Sequence, residues 1–273
     1  MWISIMLLGG LACSLVSMLC FDLVNSFSDS WIILVSFLCG MLLGFLLIVL
    51  FILVGLLFIK KDEYQKGSKF HVRMVCRATE FLLSIFRCKL MIRGMNQLPL
   101  DEKFLFITNH QSMYDSVACV WALRGFPLSI VLKKNLMKIP VVSNYLHANS
   151  FIPIDRENPR EGVKAINKAA DRIASGTSSV IICPEGTRSG SYELGEFHNG
   201  SFKIALKAKC PIVLCSIQNS CQVKKRFPFK STTIYFDVIE VLKYEDFKDK
   251  TTQEISDYAY NVIKSNLDEL PKY

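Results

Sequence analysis

The stretch "FLFITNHQSMYD", residues 104–115, sets an apolar run directly against a histidine and, five residues after that histidine, a carboxylate. Residues 104–108 read as a short strand covered on both faces, because a continuous apolar run of this length suits a buried strand. Around it the chain alternates. Residues 90–93, 128–132, 151–154, 179–183, 212–217 and 233–241 also read as strands, with helical patterns near 113–123, 160–175, 201–209 and 251–267. Alternating strands and helices imply an α/β fold, a mixed and largely parallel sheet flanked by helices, and about 210 residues fit one such domain.

Ahead of this pattern the composition belongs to another solvent. Residues 1–59 contain no Lys or Arg and two acidic residues, Asp22 and Asp29. Residues 1–21 form one apolar run and residues 31–59 a second of 29 residues, where about 20 suffice to cross a bilayer core. The expectation is a pair of membrane-inserted helices rather than a cleaved signal peptide, since no basic segment precedes the first run and a longer one follows. Gly40 and Gly44 have the spacing that lets helices approach closely, with Gly9 and Gly10 as the facing pair; small residues in an ordinary membrane helix give the same pattern. Lys60, Lys61, Lys66, Lys69 and Arg73 follow the second run, whereas the loop between the runs has no basic residue, which puts both chain ends on the cytoplasmic face of a cell membrane. A shallow hairpin gives the same placement. Three segments are therefore expected: a membrane-inserted pair at 1–59, a basic amphipathic connector at 60–88 and an α/β domain at 89–273. The apolar stripe of 70–88, with Met74, Val75, Phe81, Leu82 and Ile85, fits either the membrane interface or the domain's own sheet.

The chain carries a formal charge of +8, and residues 60–273 keep all 32 basic but only 22 of the 24 acidic residues, a net +10. A basic domain tied to a membrane suits the lipid bilayer's anionic head groups or an anionic substrate. No zinc-finger, RRM or basic-region signature points to nucleic acid. The ten cysteines lack metal-ligand spacing and read as buried thiols of a reducing compartment; no metal site is expected.

Ligands gather at the carboxyl ends of parallel strands, where His110 and Asp115 fall. On one continuous helix they would lie about 140° apart, so His110 belongs to the turn and Asp115 to the first turn of the helix, from which it can reach back. Ser112 and Asp115 also form the pattern of a capping box, which alone needs no chemistry from His110. A second cluster, "CPEGTRSG" at 183–190, likewise follows an apolar strand; Pro and Gly there also suit a plain surface turn.

Together "NHQSMYD" and "PEGTRS" resemble the glycerolipid acyltransferase family, closest to the 1-acylglycerol-3-phosphate acyltransferases, over about residues 90–220. The family's histidine and aspartate fall on His110 and Asp115, with Asn109 and Ser112 as the family has them. Its lysine-rich segment before a short helix falls on residues 133–136, its apolar pair and arginine on Phe151, Ile152 and Arg156, its third motif on residues 184–189 and its proline-led strand on 211–213. Departures are His198-Asn199 where Lys-Gly is usual, and Ser143-Asn144 where a glycine is common.

The resemblance implies transfer of an acyl group from acyl-CoA or acyl-acyl carrier protein to lysophosphatidic acid, with no further cofactor. His110 would be the general base and Asp115 its orienting acid. Asn109 and Ser112 would support them, and the Gly186 region would supply backbone N–H groups to the oxyanion. Arg188, Lys133 and Arg156 suit the phosphate, with Glu185, Gly186 and Thr187 beside it; Glu185 would hold Arg188 or contact a hydroxyl. Other expectations are another lysophospholipid or glycerol-3-phosphate as acceptor, a hydrolase with Ser112 as nucleophile, or a non-catalytic module binding anionic lipid.

Overall fold

The computed structural model describes residues 2–20, 30–57, 69–155 and 158–273. The chain divides into two compact units, Met1–Lys60 and Lys61–Tyr273.

The first unit pairs α1 (Trp2–Cys20) with α2 (Ser30–Leu57). Their backbones touch at the glycines: a methyl group added to Gly40 would run into the Gly9 carbonyl oxygen and stand 2.8 Å from Gly10 Cα, and one on Gly44 would stand 3.1 Å from Met6 Cα. The spaced glycines therefore do serve close approach. Hydroxyls join the helices as well, Ser17 to Ser36 at 2.7 Å and Ser14 to the Ile33 carbonyl at 3.3 Å. By length and composition α2 can cross a membrane over Trp31–Gly55, while the apolar part of α1, Ser4–Leu19, is shorter.

The second unit opens with α3 (Lys69–Ile85) and β1 (Cys88–Arg93), then β2 (Leu105–Thr108), α4 (Met113–Ala122), β3 (Leu128–Lys133), α5 (Pro140–Ala148) and β4 (Ile152–Ile154). It continues with α6 (Pro159–Ala174), β5 (Ser179–Ile182), α7 (Lys203–Ala208), β6 (Ile212–Gln218), α8 (Val223–Arg226), β7 (Thr232–Leu242), α9 (Tyr244–Phe247) and α10 (Thr252–Glu269). The seven strands form one sheet in the order β1-β7-β6-β2-β5-β3-β4. All neighbours are parallel except β6 and β7, so β1 and β7 run opposite to the other five.

Side-chain alternation splits the core into two layers. Leu105, Ile107, Val180, Ile182, Ile212 and Leu214 face α6, α7 and α10. Phe104, Phe106, Ile181, Val213 and Cys215 face α3 and α4. Burial on both faces is why β2, β5 and β6 lack polar alternation.

Three details differ from the periodicity. The helix expected over 201–209 is a 3-10 turn at Asn199–Phe202 followed by α7. Residues after Lys133, where only the family resemblance supplied a helix, form a 3-10 turn at Lys134–Lys138 and then α5. The face that α3 buries holds His71, Met74, Thr79 and Leu83, so the helix packs on the domain, with two polar residues in its inner stripe.

Candidate active site

The chain leaves the sheet at the carboxyl end of β2, and Asn109 manages the exit. Its amide donates to the Ile217 carbonyl at 2.9 Å and accepts the Ile217 N–H at 2.7 Å, replacing main-chain pairing with β6. His110 then lies in the turn and α4 begins. Ser112 is the N-cap, its hydroxyl accepting the Tyr114 N–H at 3.1 Å. Asp115 Oδ2 accepts the Ser112 N–H at 2.7 Å and stands 2.8 Å from His110 Nδ1. The cap and the His–Asp pair, alternatives in the sequence, thus use the same oxygen. Asp115 is 1% exposed, so its charge is not screened by water where it meets the ring. With Nδ1 turned to the carboxylate, Nε2 is the ring nitrogen left for a substrate proton.

The loop after β5 is laced to this turn. Ser189 N–H donates to the His110 carbonyl at 2.9 Å and Gly190 N–H to that of Gln111 at 3.1 Å. Glu185 reinforces the junction: Oε1 accepts the His110 N–H at 2.5 Å and Oε2 the Gly195 N–H at 2.9 Å. Of the two expectations for Glu185, a bond to Arg188 is not found among the described residues; its carboxylate holds backbone instead. The carboxylate thus takes one backbone donor on each oxygen. Burial pushes its pKa above the usual carboxylate range, against the pull of those two N–H groups and of His110.

Gly186 also differs in detail from its expected role. Its own N–H donates to the Cys183 carbonyl at 3.1 Å, closing the turn, so it is not a free donor. The N–H groups of Thr187 and Arg188 have no acceptor among the described residues. Glycine suits this position because φ is +71°, and a Cβ would also press on the His198 ring at 3.0 Å. The unusual His198 therefore packs over the turn.

A cavity of about 380 Å³ opens in front of the imidazole, within the range of small-molecule sites. It gathers His110, Asp115, Lys133, Thr187 and Arg188 from four separate segments. Asn109 and Ser112 stand behind the dyad, and Glu185 and Gly186 underlie the loop. Arg156 lies outside the described residues. Lys134, next to Lys133, turns instead toward Asp155 at 3.8 Å and Glu161 at 3.9 Å. The apolar wall of Cys119, Ile130 and Ile181 was not singled out from the sequence, because its residues look like any core. Cys183 and Asn135 line the cavity too, and only their place beside the two motifs signals it.

A recessed base, a carboxylate fixing it, cations at the mouth and an apolar wall can take a proton from a hydroxyl on an anionic amphiphile. Comparison with known proteins gives a family likeness for the domain that carries this site. Residues 89–218 match the family model described as Acyltransferase. Over 133 residues the chain is 30% identical to the chloroplastic 1-acyl-sn-glycerol-3-phosphate acyltransferase BAT2 of Brassica napus, covering 48% of this chain and 38% of that protein. Over 153 residues it is 30% identical to the 1-acyl-sn-glycerol-3-phosphate acyltransferase of Pseudomonas aeruginosa, covering 55% and 58%. The match thus spans less than two thirds of either relative's length. The crystal structure of the 1-acyl-sn-glycerophosphate acyltransferase PlsC from Thermotoga maritima superposes with a TM-score of 0.64 at 21% identity, covering 82% of this chain and 88% of that one, and shares the fold. Residues 89–218 are thus similar to acyltransferases, over 130 of the 273 residues.

Proposed function

We propose that the protein transfers a fatty acyl group from a thioester donor, acyl-CoA or acyl-acyl carrier protein, to the sn-2 hydroxyl of 1-acylglycerol-3-phosphate, giving phosphatidic acid for phospholipid synthesis. The observation that carries this reading is the 2.8 Å contact of His110 Nδ1 with Asp115 beside a cavity edged by Lys133 and Arg188. Nε2 of His110 takes the hydroxyl proton as the oxygen attacks the thioester carbonyl. Negative charge then develops on the carbonyl oxygen, and the N–H groups of Thr187 and Arg188, which have no acceptor among the described residues, are the donors we assign to it. The carbon–sulfur bond breaks as the tetrahedral intermediate collapses, and the imidazolium returns its proton to the leaving thiolate. Asp115 offsets the imidazolium charge throughout. Arg188 and Lys133 offer a bidentate fork and a point charge to the acceptor phosphate. The apolar wall of Cys119, Ile130 and Ile181 suits a fatty chain.

Residues 1–59 would hold the enzyme in the cell membrane, 60–88 would connect, and 89–273 would work on the cytoplasmic face, as the charge asymmetry around the second apolar run motivates. The deciding test is an acceptor panel of lysophosphatidic acid, glycerol-3-phosphate and head-group lysophospholipids, run with both donors on purified protein. Phosphatidic acid as the main product supports the reading. Turnover confined to acceptors without a phosphomonoester would replace it.

A further inference from the structure

A second cavity, of about 410 Å³, lies at the opposite end of the sheet from His110, under α3 and the C-terminal end of α4. Its walls are apolar, formed by Val72 and Val75 of α3, Val120 of α4, and Phe126, Leu128 and Phe151 beside the amino ends of β3 and β4. Three cations line it, Lys69, Lys103 and Arg124, and among the described residues no carboxylate does. Lys69 and Lys103 have no ion pair or hydrogen bond among the described residues. Arg124 stacks 4.2 Å from the Trp121 ring centre and gives one N–H to the Trp121 carbonyl, which leaves the remaining guanidinium donors for an anion. At the polar end, the hydroxyls of Ser129 and Ser178 are 2.8 Å apart. Behind them Arg172, 8% exposed, gives one bond to Ser129 and keeps Nε without a partner among the described residues.

A purely structural void would be lined by apolar atoms alone, and a purely solvated face would mix its charges. Here an apolar pocket of ligand size carries cations of one sign, with a further buried cation beneath its serines. We propose that this cavity binds a single-chain anionic amphiphile, its fatty chain against the valines and phenylalanines and its anionic head between Lys69, Lys103 and Arg124. The site is separate from the His110 chemistry and does not depend on the acceptor assigned there. Apolar contact supplies the affinity, and three cations with no carboxylate among the described lining residues supply the preference for charge.

The test uses full-length protein in phosphatidylcholine nanodiscs with a palmitate carrying a diazirine in its chain, followed by peptide mapping of the adducts. Adducts are expected on the segments 69–76 and 120–128, and they should persist in His110→Ala. Gly125 lines the cavity, and a Cβ there meets nothing within 4 Å, so Gly125→Trp should fill the space without backbone strain and lower those adducts about tenfold, the factor that 1.4 kcal/mol represents. Lys103→Glu with Arg124→Glu should weaken palmitate labelling to a similar degree, and the uncharged alcohol analogue should label the wild type correspondingly less. Labelling of the two segments that is absent, or that neither variant lowers, would overturn the site. Equal labelling by palmitate and the alcohol would overturn its selectivity for an anion. If Gly125→Trp does not fold, the charge-reversal variant decides alone.

Discussion

Glu185 accepts the main-chain N–H of His110, so the carboxylate of one motif fixes the backbone that carries the imidazole of the other. Glu185→Gln keeps the shape but offers one oxygen to two N–H donors, His110 and Gly195. One buried donor then faces an NH₂ group, at a cost of about 1–3 kcal/mol. Thermal unfolding should register it as roughly 2–4 °C of lost Tm per kcal/mol. Because burial raises the folded pKa above 4.5, the folded state holds this proton more tightly than the unfolded chain, and stability falls as pH climbs through that window. The Tm advantage of wild type over Glu185→Gln should therefore shrink from pH 4 upward; an advantage that grows would contradict the raised pKa.

His110→Ala should reduce turnover by about 10²–10⁴ with acceptor binding largely kept, since a base acts on a proton in transit. Asp115→Asn retains an oxygen for the Ser112 N–H but cannot offset the imidazolium, so it should impair kcat far more than Tm. Near-normal turnover in either variant would reduce the motif to its capping role.

Arg188 has no protein partner among the described residues, so its loss should be felt by substrate and not by the fold. A hydrogen bond to a charged group is worth about 1.5–3 kcal/mol, so Arg188→Ala should raise KM for lysophosphatidic acid roughly 10- to 150-fold. Arg188→Lys should recover part of this. Equal penalties on acceptors with and without a phosphomonoester would assign the arginine to the donor instead.

Gly186→Ala should destabilise the loop by about 1–2 kcal/mol through its positive φ alone, before any contact with His198. The double variant with His198→Ala removes the 3.0 Å contact but leaves the backbone cost, so stability should return in part. Complete rescue would mean that the ring, not the dihedral, demands glycine.

A tag at either end of the chain should be reachable only from the cytoplasmic side, because the basic residues follow the second apolar run and none lies between the runs. Protease cleavage of a C-terminal tag outside intact cells would reverse the placement.

Strand positions and the His110–Asp115 pairing were legible because buried runs and a turn-then-helix spacing leave direct traces in sequence. The short helices α5, α8 and α9 were not, since four to nine residues give too little periodicity to detect. The buried face of α3 was hidden for a different reason: His71 and Thr79 belong to it but do not look apolar. The role of Glu185 was also out of reach, as its acceptor bonds go to backbone N–H groups, which every residue but proline carries alike. Lys133 and Arg188 are brought to one cavity by crossovers between β3 and β5 that spacing does not encode.

Because Asp115 Oδ2 serves the Ser112 N–H and the imidazole together, fraying of the first turn of α4 and dismantling of the proton relay are one event. The ordering entropy of the reactive pair is then met when the helix starts, and the Ser112 amide becomes a built-in reporter. Its hydrogen-exchange rate measures how often the enzyme is momentarily without its base.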